Sequence, residues 1–172
     1  QHLALYLKLS LDPGTNGRLA AFSHLIWPET ATPFFLAADA ARRGLIARSL
    51  PPGTMLITGT PRRGGSAAGA VTLHNSIMAL AADGTVAQLY DKAHLVPFGE
   101  YLPLRSALAR LGLDKLAHGA VDFSPGPGAV VTNLPGLPPF RPLICYEIIF
   151  PGEIATPDFD SNPEWLLNVT ND

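Results

Sequence analysis

Apolar positions recur at helical spacing in the opening run QHLALYLKLS, where Leu3, Tyr6, Leu7 and Leu9 fall near one side, and the run stops at the breaker Asp12-Pro13-Gly14. That pattern predicts an amphipathic helix, here without an N-terminal cap. The period then shortens. SHLIWPE reads as a brief apolar strand ended by Pro28, because proline cannot continue a ladder and restricts the residue before it. The alanine-rich FFLAADAARRGLIARSL, bounded by Pro33 and Pro51, returns to a helix, and TMLITGTP reads as a buried strand. VTLHNSIMAL and TVAQLYDK flank Asp83-Gly84 and predict a hairpin turning at that dipeptide. A long irregular stretch follows through AHLVPFGEYLPL, with one helix expected in RSALARLGLDKLA, and then the turn-rich SPGPG. AVVTNL, a strand in RPLICY, a helix opening near Glu147 and a strand in WLLNVT complete the chain. Helices alternating with strands and hairpins predict a layered α/β (α+β) domain.

Composition narrows the possibilities without changing this outline. At 172 residues the chain amounts to one domain. It is 47% hydrophobic, yet no apolar run approaches the roughly 20 residues of a membrane helix, so any membrane attachment must come from outside it. The start lacks the charged-then-apolar pattern of a signal peptide. Twelve basic and 14 acidic residues are scattered, with no basic stripe, so no nucleic-acid partner is expected. The 17 prolines and 16 glycines sit between periodic segments and read as turns. GTPRRGGSAAG lacks P-loop spacing and a closing Lys-Ser/Thr, and reads as a flexible hairpin loop. One cysteine excludes an internal disulfide and a multi-cysteine metal site. The five histidines form no i, i+4 pair, so no metal is expected, and His94 reads as a loop hydrogen-bonder. The chain starts inside a helix and stops just after an apolar strand, which predicts a piece of something larger.

Three chemically useful side chains each follow an apolar strand-like run: Glu29 after LIWP, Lys92 after VAQLYD and Cys145 after RPLI. Strand ends are where rigid elements hold side chains that the adjoining loops expose. A free thiol is mostly protonated at neutral pH and needs a base or a cation to become a nucleophile. A poorly solvated carboxylate serves as that base, an ammonium stabilises the oxyanion of a tetrahedral intermediate, and a helix opening after the cysteine would add the Tyr146 N–H as a second donor. Taken singly, Glu29 reads as a loop carboxylate, Lys92 as a solvated surface charge, and Cys145 as equally suited to packing or chemistry.

These stretches resemble the nitrilase superfamily of carbon–nitrogen hydrolases. WPET is similar to that family's glutamate motif, YDKAHLVPFGEYLP to its lysine motif and ICYEIIFPGE to its cysteine motif, with HNSIMALAADG and LLNVTND similar to its flanking strands. The resemblance implies a four-layer α-β-β-α sandwich, here incomplete at both ends and forming one partial domain over 1–172. It implies Glu29 as general base, Lys92 as oxyanion-stabilising lysine and Cys145 as nucleophile, with Glu100, Glu147 and Tyr146 as auxiliary residues. LVPFGEYLPLR, LICYEIIFP and NVTND resemble the branch of inner-membrane enzymes that N-acylate bacterial apolipoproteins. That likeness implies a phospholipid acyl donor, an apolipoprotein acceptor, a thioester on Cys145, a periplasmic domain held to the membrane by segments outside this chain, and no cofactor. It also implies that residues 1–172 alone would be poorly stable or inactive. A soluble amidase using the same triad on a small C–N substrate is the alternative. A non-catalytic module is disfavoured, since it would have no physical need for all three residues.

Overall fold

The computed structural model describes residues 2–11, 22–65, 69–101, 103, 122–154 and 162–171. Strands β1 (His24–Ile26), β2 (Met55–Gly65), β3 (Val71–Leu80) and β4 (Val86–Asp91) form one sheet in that order, and β5 (Phe140–Ile144) pairs with β6 (Trp165–Val169) in a second. β1 and β2 are parallel, β3 is antiparallel to β2 and to β4, and β5 and β6 are parallel. Side chains alternate across a strand, and in β2 and β3 both faces are apolar because both are covered. Leu56, Met78 and Leu80 pack with Trp27, Leu36 and Ile46 under helices α1 (His2–Leu11) and α2 (Ala40–Ser49). Ile57, Ile77 and Ala79 pack on the other side with Phe140, Ile144, Leu167 and Val169 of the second sheet. The described layers therefore run helix, sheet, sheet, three of the four in the sandwich that the family resemblance implies. Among the described residues no helix is long and apolar enough to cross a membrane.

Several local expectations shift for identifiable reasons. In α1, Leu3, Tyr6 and Leu7 pack on the core, Tyr6 stacks on Trp27 at 5.4 Å, and Trp27 Nε1 donates to Ser10 Oγ at 3.0 Å. Leu9 is exposed, because the packed residues follow the i, i+3, i+4, i+7 line and Leu9 lies off it. The Pro33–Pro51 segment is a 3₁₀ turn (Leu36–Ala38) followed by α2, since Asp39 Oδ1 accepts the Arg42 N–H at 2.9 Å and caps a new start. Arg43 Nε donates to the Gly84 carbonyl at 3.2 Å, tying α2 to the β3–β4 turn. That turn has Gly84 at φ 87° and Asp83 Oδ1 accepting from Thr85 N at 2.9 Å, as its Asp-Gly dipeptide predicts. Residues 62–65, expected only as part of a flexible loop, extend β2 beyond TMLITGTP, because each finds a partner on β3. Beyond Ile57, where β1 pairing ends, β2 is an edge strand and tolerates Pro61. Instead of a helix opening near Glu147, a 3₁₀ turn occupies Cys145–Ile149 and one helical turn follows at Pro151–Ile154. The helix expected within 105–117 lies outside the described residues.

Candidate active site

β1, β2 and β4 run in one direction and β3 against them, so the residues just after β1 and β4 arrive at the same sheet edge as the early part of β3. Register makes this specific. Ser76 is opposite Asp91, so the next rung sets Asn75 beside Lys92, whose N–H donates to the Asn75 carbonyl at 2.8 Å. Period-two alternation places Asn75 and Lys92 on the face of Ile77 and Tyr90, toward the second sheet. Ser76 and Asp91 fall on the opposite face.

Glu29 arrives in a turn between buried Trp27 and Ala31. The Trp27 N–H donates to the Ile57 carbonyl at 2.9 Å, and the Gly59 N–H to the Pro28 carbonyl at 3.2 Å. A side chain at position 59 has no room, since its Cβ would lie 2.5 Å from Glu29 Cα. Lys92 is held likewise: the Gly126 N–H donates to its carbonyl at 2.8 Å, and a Cβ on Gly126 would fall 2.8 Å from the Asp91 carbonyl carbon. Gly126 belongs to SPGPG, a stretch that signals a turn in sequence but not a contact with the lysine loop.

From these anchors a hydrogen-bonded line forms. Asn75 Nδ2 donates to Glu29 Oε1 at 2.7 Å and to Glu100 Oε1 at 3.1 Å, and Lys92 Nζ lies 2.9 Å from Glu100 Oε2. Lys92 is only 1% exposed, far from the solvated charge its residue type suggests; a buried ammonium requires such a partner. Glu100 Oε2 also accepts the Val96 N–H at 2.9 Å.

Cys145 follows directly on β5 with φ 56°, a left-handed conformation that is costly for a residue with a Cβ and recurs at functional sites. Its side chain is half-buried. Glu147, 4% exposed, connects this turn to the lysine loop. Its Oε1 accepts from Tyr90 OH at 2.8 Å, Ala93 N at 2.7 Å and His94 N at 3.0 Å, and its Oε2 from Ile144 N at 2.8 Å. With four donors engaged, Glu147 ties the turn after β5 to the loop after β4. Burial, reinforced by this carboxylate, pushes the Tyr90 phenol well above its ordinary range, so it remains a donor. The Tyr146 side chain is 57% exposed, and the His94 ring stacks on Phe150 at 3.7 Å.

Glu29, Glu100 and Lys92 are thus joined through Asn75, and Cys145 is tied to the residues after Lys92 through Glu147. Asn75 is the residue to which the sequence assigned no role; its one signal is the Asn-Ser step just before the apolar run 77–80 of β3. A cavity of about 480 Å³ opens beside this region, lined by Ala93, His94, Leu95, Tyr101 and Phe123 among others. Among the described residues no group of three His, Cys, Asp or Glu side chains is arranged to hold a metal.

Residues 22–156 match the family model described as carbon–nitrogen hydrolase, and the chain belongs to that family. Two solved structures share the fold. One is the glutamine-dependent NAD+ synthetase from Acinetobacter baumannii, with a TM-score of 0.62 at 15% identity over 99% of this chain and 29% of that one. The other is an amidase from Nesterenkonia sp. AN1 carrying an acetamide moiety on its active-site cysteine, with a TM-score of 0.57 at 18% identity over 98% of this chain and 58% of that one. Curated relatives are apolipoprotein N-acyltransferases. The protein from Bradyrhizobium diazoefficiens is 42% identical over 100% of this chain and that from Rhodopseudomonas palustris 45% over 97%. The chain spans about a third of the length of either, 32% in both cases.

Proposed function

We propose that this chain is the catalytic domain of an apolipoprotein N-acyltransferase, acting at the periplasmic face of a bacterial inner membrane through a thioester on Cys145. The reading rests on one arrangement: a partly buried Lys92–Glu100–Asn75–Glu29 line whose lysine loop is clamped by Glu147 to the strained turn carrying the only cysteine. The identity to enzymes named for this reaction supports the choice of substrate class.

Glu29 takes the thiol proton as Cys145 Sγ attacks an ester carbonyl of a phospholipid. Lys92, with the Tyr146 N–H, supports the oxyanion. Collapse breaks the C–O bond, Glu29 returns its proton to the departing lysophospholipid, and a thioester remains. The α-amine of the lipid-modified N-terminal cysteine of an apolipoprotein then attacks and passes a proton to Glu29. The C–S bond breaks, the thiolate recovers that proton, and the acyl chain ends as an amide. Glu100 holds Lys92, while Glu147 holds the two loops in place. No cofactor enters, since acyl transfer needs only nucleophile, base and electrostatic support.

Intact-mass analysis of the full-length protein in phospholipid nanodiscs tests this. An acyl adduct is expected in wild type and absent in Cys145→Ala, and it should pass to a lipid-modified peptide with a free N-terminal amine. Absence of any adduct refutes the reading. Discharge to water but not to the amine reassigns the domain to hydrolysis.

A further inference from the structure

The acyl-transfer chemistry gives Asn75 no task, yet it sits at the centre of the line, buried at 6% exposure. A side-chain amide has two N–H hydrogens. Here its nitrogen meets two carboxylate oxygens, Glu29 Oε1 at 2.7 Å and Glu100 Oε1 at 3.1 Å. Turned over, the amide would set its own oxygen against both, three acceptors with no proton among them, so the neighbours fix its orientation. Glu100 has a cation and a backbone N–H on its other oxygen, Lys92 Nζ and Val96 N, both at 2.9 Å. Among the described residues no ion pair to Glu29 is found, and its tie to the lysine passes through Asn75.

We propose that Asn75 is a positioning residue: its amide holds the Glu29 and Glu100 carboxylates apart and fixes Glu29 relative to Lys92. This inference rests on the reading of Glu29 as the base. A base must present a fixed oxygen to the thiol proton. With Oε1 committed to Asn75, Oε2 is left to receive it. Substitution at position 75 also removes a donor from Glu100, so the readout must isolate Glu29.

The test compares full-length wild type, Asn75→Ala and Asn75→Ser in nanodiscs by two readouts. Infrared difference spectroscopy, with the Glu29 carboxyl band assigned by subtraction of Glu29→Gln, needs no substrate. In Asn75→Ala that band is expected to move away from its wild-type frequency, because the group loses the hydrogen bond on Oε1. Asn75→Ser, which retains one donor, should fall between and carries the comparison if Asn75→Ala does not fold. Single-turnover acylation of Cys145 should slow in the same order, Asn75→Ala more than Asn75→Ser. An unchanged Glu29 band overturns the inference even where transfer is slowed. A wild type that forms no acyl adduct defeats the acyl-transfer reading instead, and the infrared band still decides the role of Asn75.

Discussion

Glu147 offers the sharpest test of how the cysteine turn and the lysine loop are joined. Glu147→Ala leaves four donors without their acceptor: Tyr90 OH and the backbone N–H groups of Ala93, His94 and Ile144. An orphaned buried donor costs about 1–3 kcal/mol, so four together cost on the order of 4–12 kcal/mol before water enters, comparable to the ~5–15 kcal/mol by which whole domains are stable. Glu147→Gln separates shape from hydrogen bonding. Its oxygen can retain Tyr90, Ala93 and His94, but its NH₂ then meets the Ile144 N–H, donor against donor, and the three retained bonds lose their charge assistance. A cost of about 2–4 kcal/mol follows. Thermal unfolding of the full-length protein should therefore rank wild type above Glu147→Gln and both above Glu147→Ala. Amide hydrogen exchange should quicken at residues 93, 94 and 144 in Glu147→Gln. Wild-type melting and exchange in Glu147→Ala would refute the clamp, because the donors would then have been satisfied without it.

Gly126→Ala and Gly59→Ala place a Cβ against backbone, 2.8 Å from the Asp91 carbonyl carbon and 2.5 Å from Glu29 Cα respectively. Each should lose at least about 1–3 kcal/mol of stability and at least tenfold in Cys145 acylation, measured by thermal unfolding and single-turnover mass analysis; normal rates would show that the loops shift freely. On the other face of β4, burial works to raise the Asp91 carboxyl, but hydrogen bonds from Arg62 and Ser76 outweigh it and hold it below the ordinary carboxylate range. A depressed carboxyl contributes stability that is fully present above the unfolded value, about 3.9, and is lost as pH falls through the lower native value. Arg62→Gln should lower the melting temperature at neutral pH, with the gap to wild type closing in acid. A gap independent of pH would count against this pairing.

Local signals were enough for the strands and for the candidate side chains that follow them. Pro28 ends β1, Asp83-Gly84 turns β3 into β4, and runs apolar on both faces mark β2 and β3 as sandwiched, all within a few residues of where the effect appears. Glu29, Lys92 and Cys145 could be picked out because each follows such a run. Helix starts were less legible. A cap such as Asp39 acts through one hydrogen bond inside an otherwise helical composition, and Leu9 differs from Leu7 only by its angle around the axis. What only tertiary structure decided was the company each site residue keeps. Asn75 meets Glu29 across 46 residues, Glu147 meets Tyr90 across 57, and Gly59 and Gly126 matter because backbone from elsewhere passes too near for a side chain. Periodicity reports which face a residue takes. The register between strands and the closeness of two backbones depend on the whole packed sheet, so the burial of Lys92 and the bridging role of Asn75 came into view only with the fold.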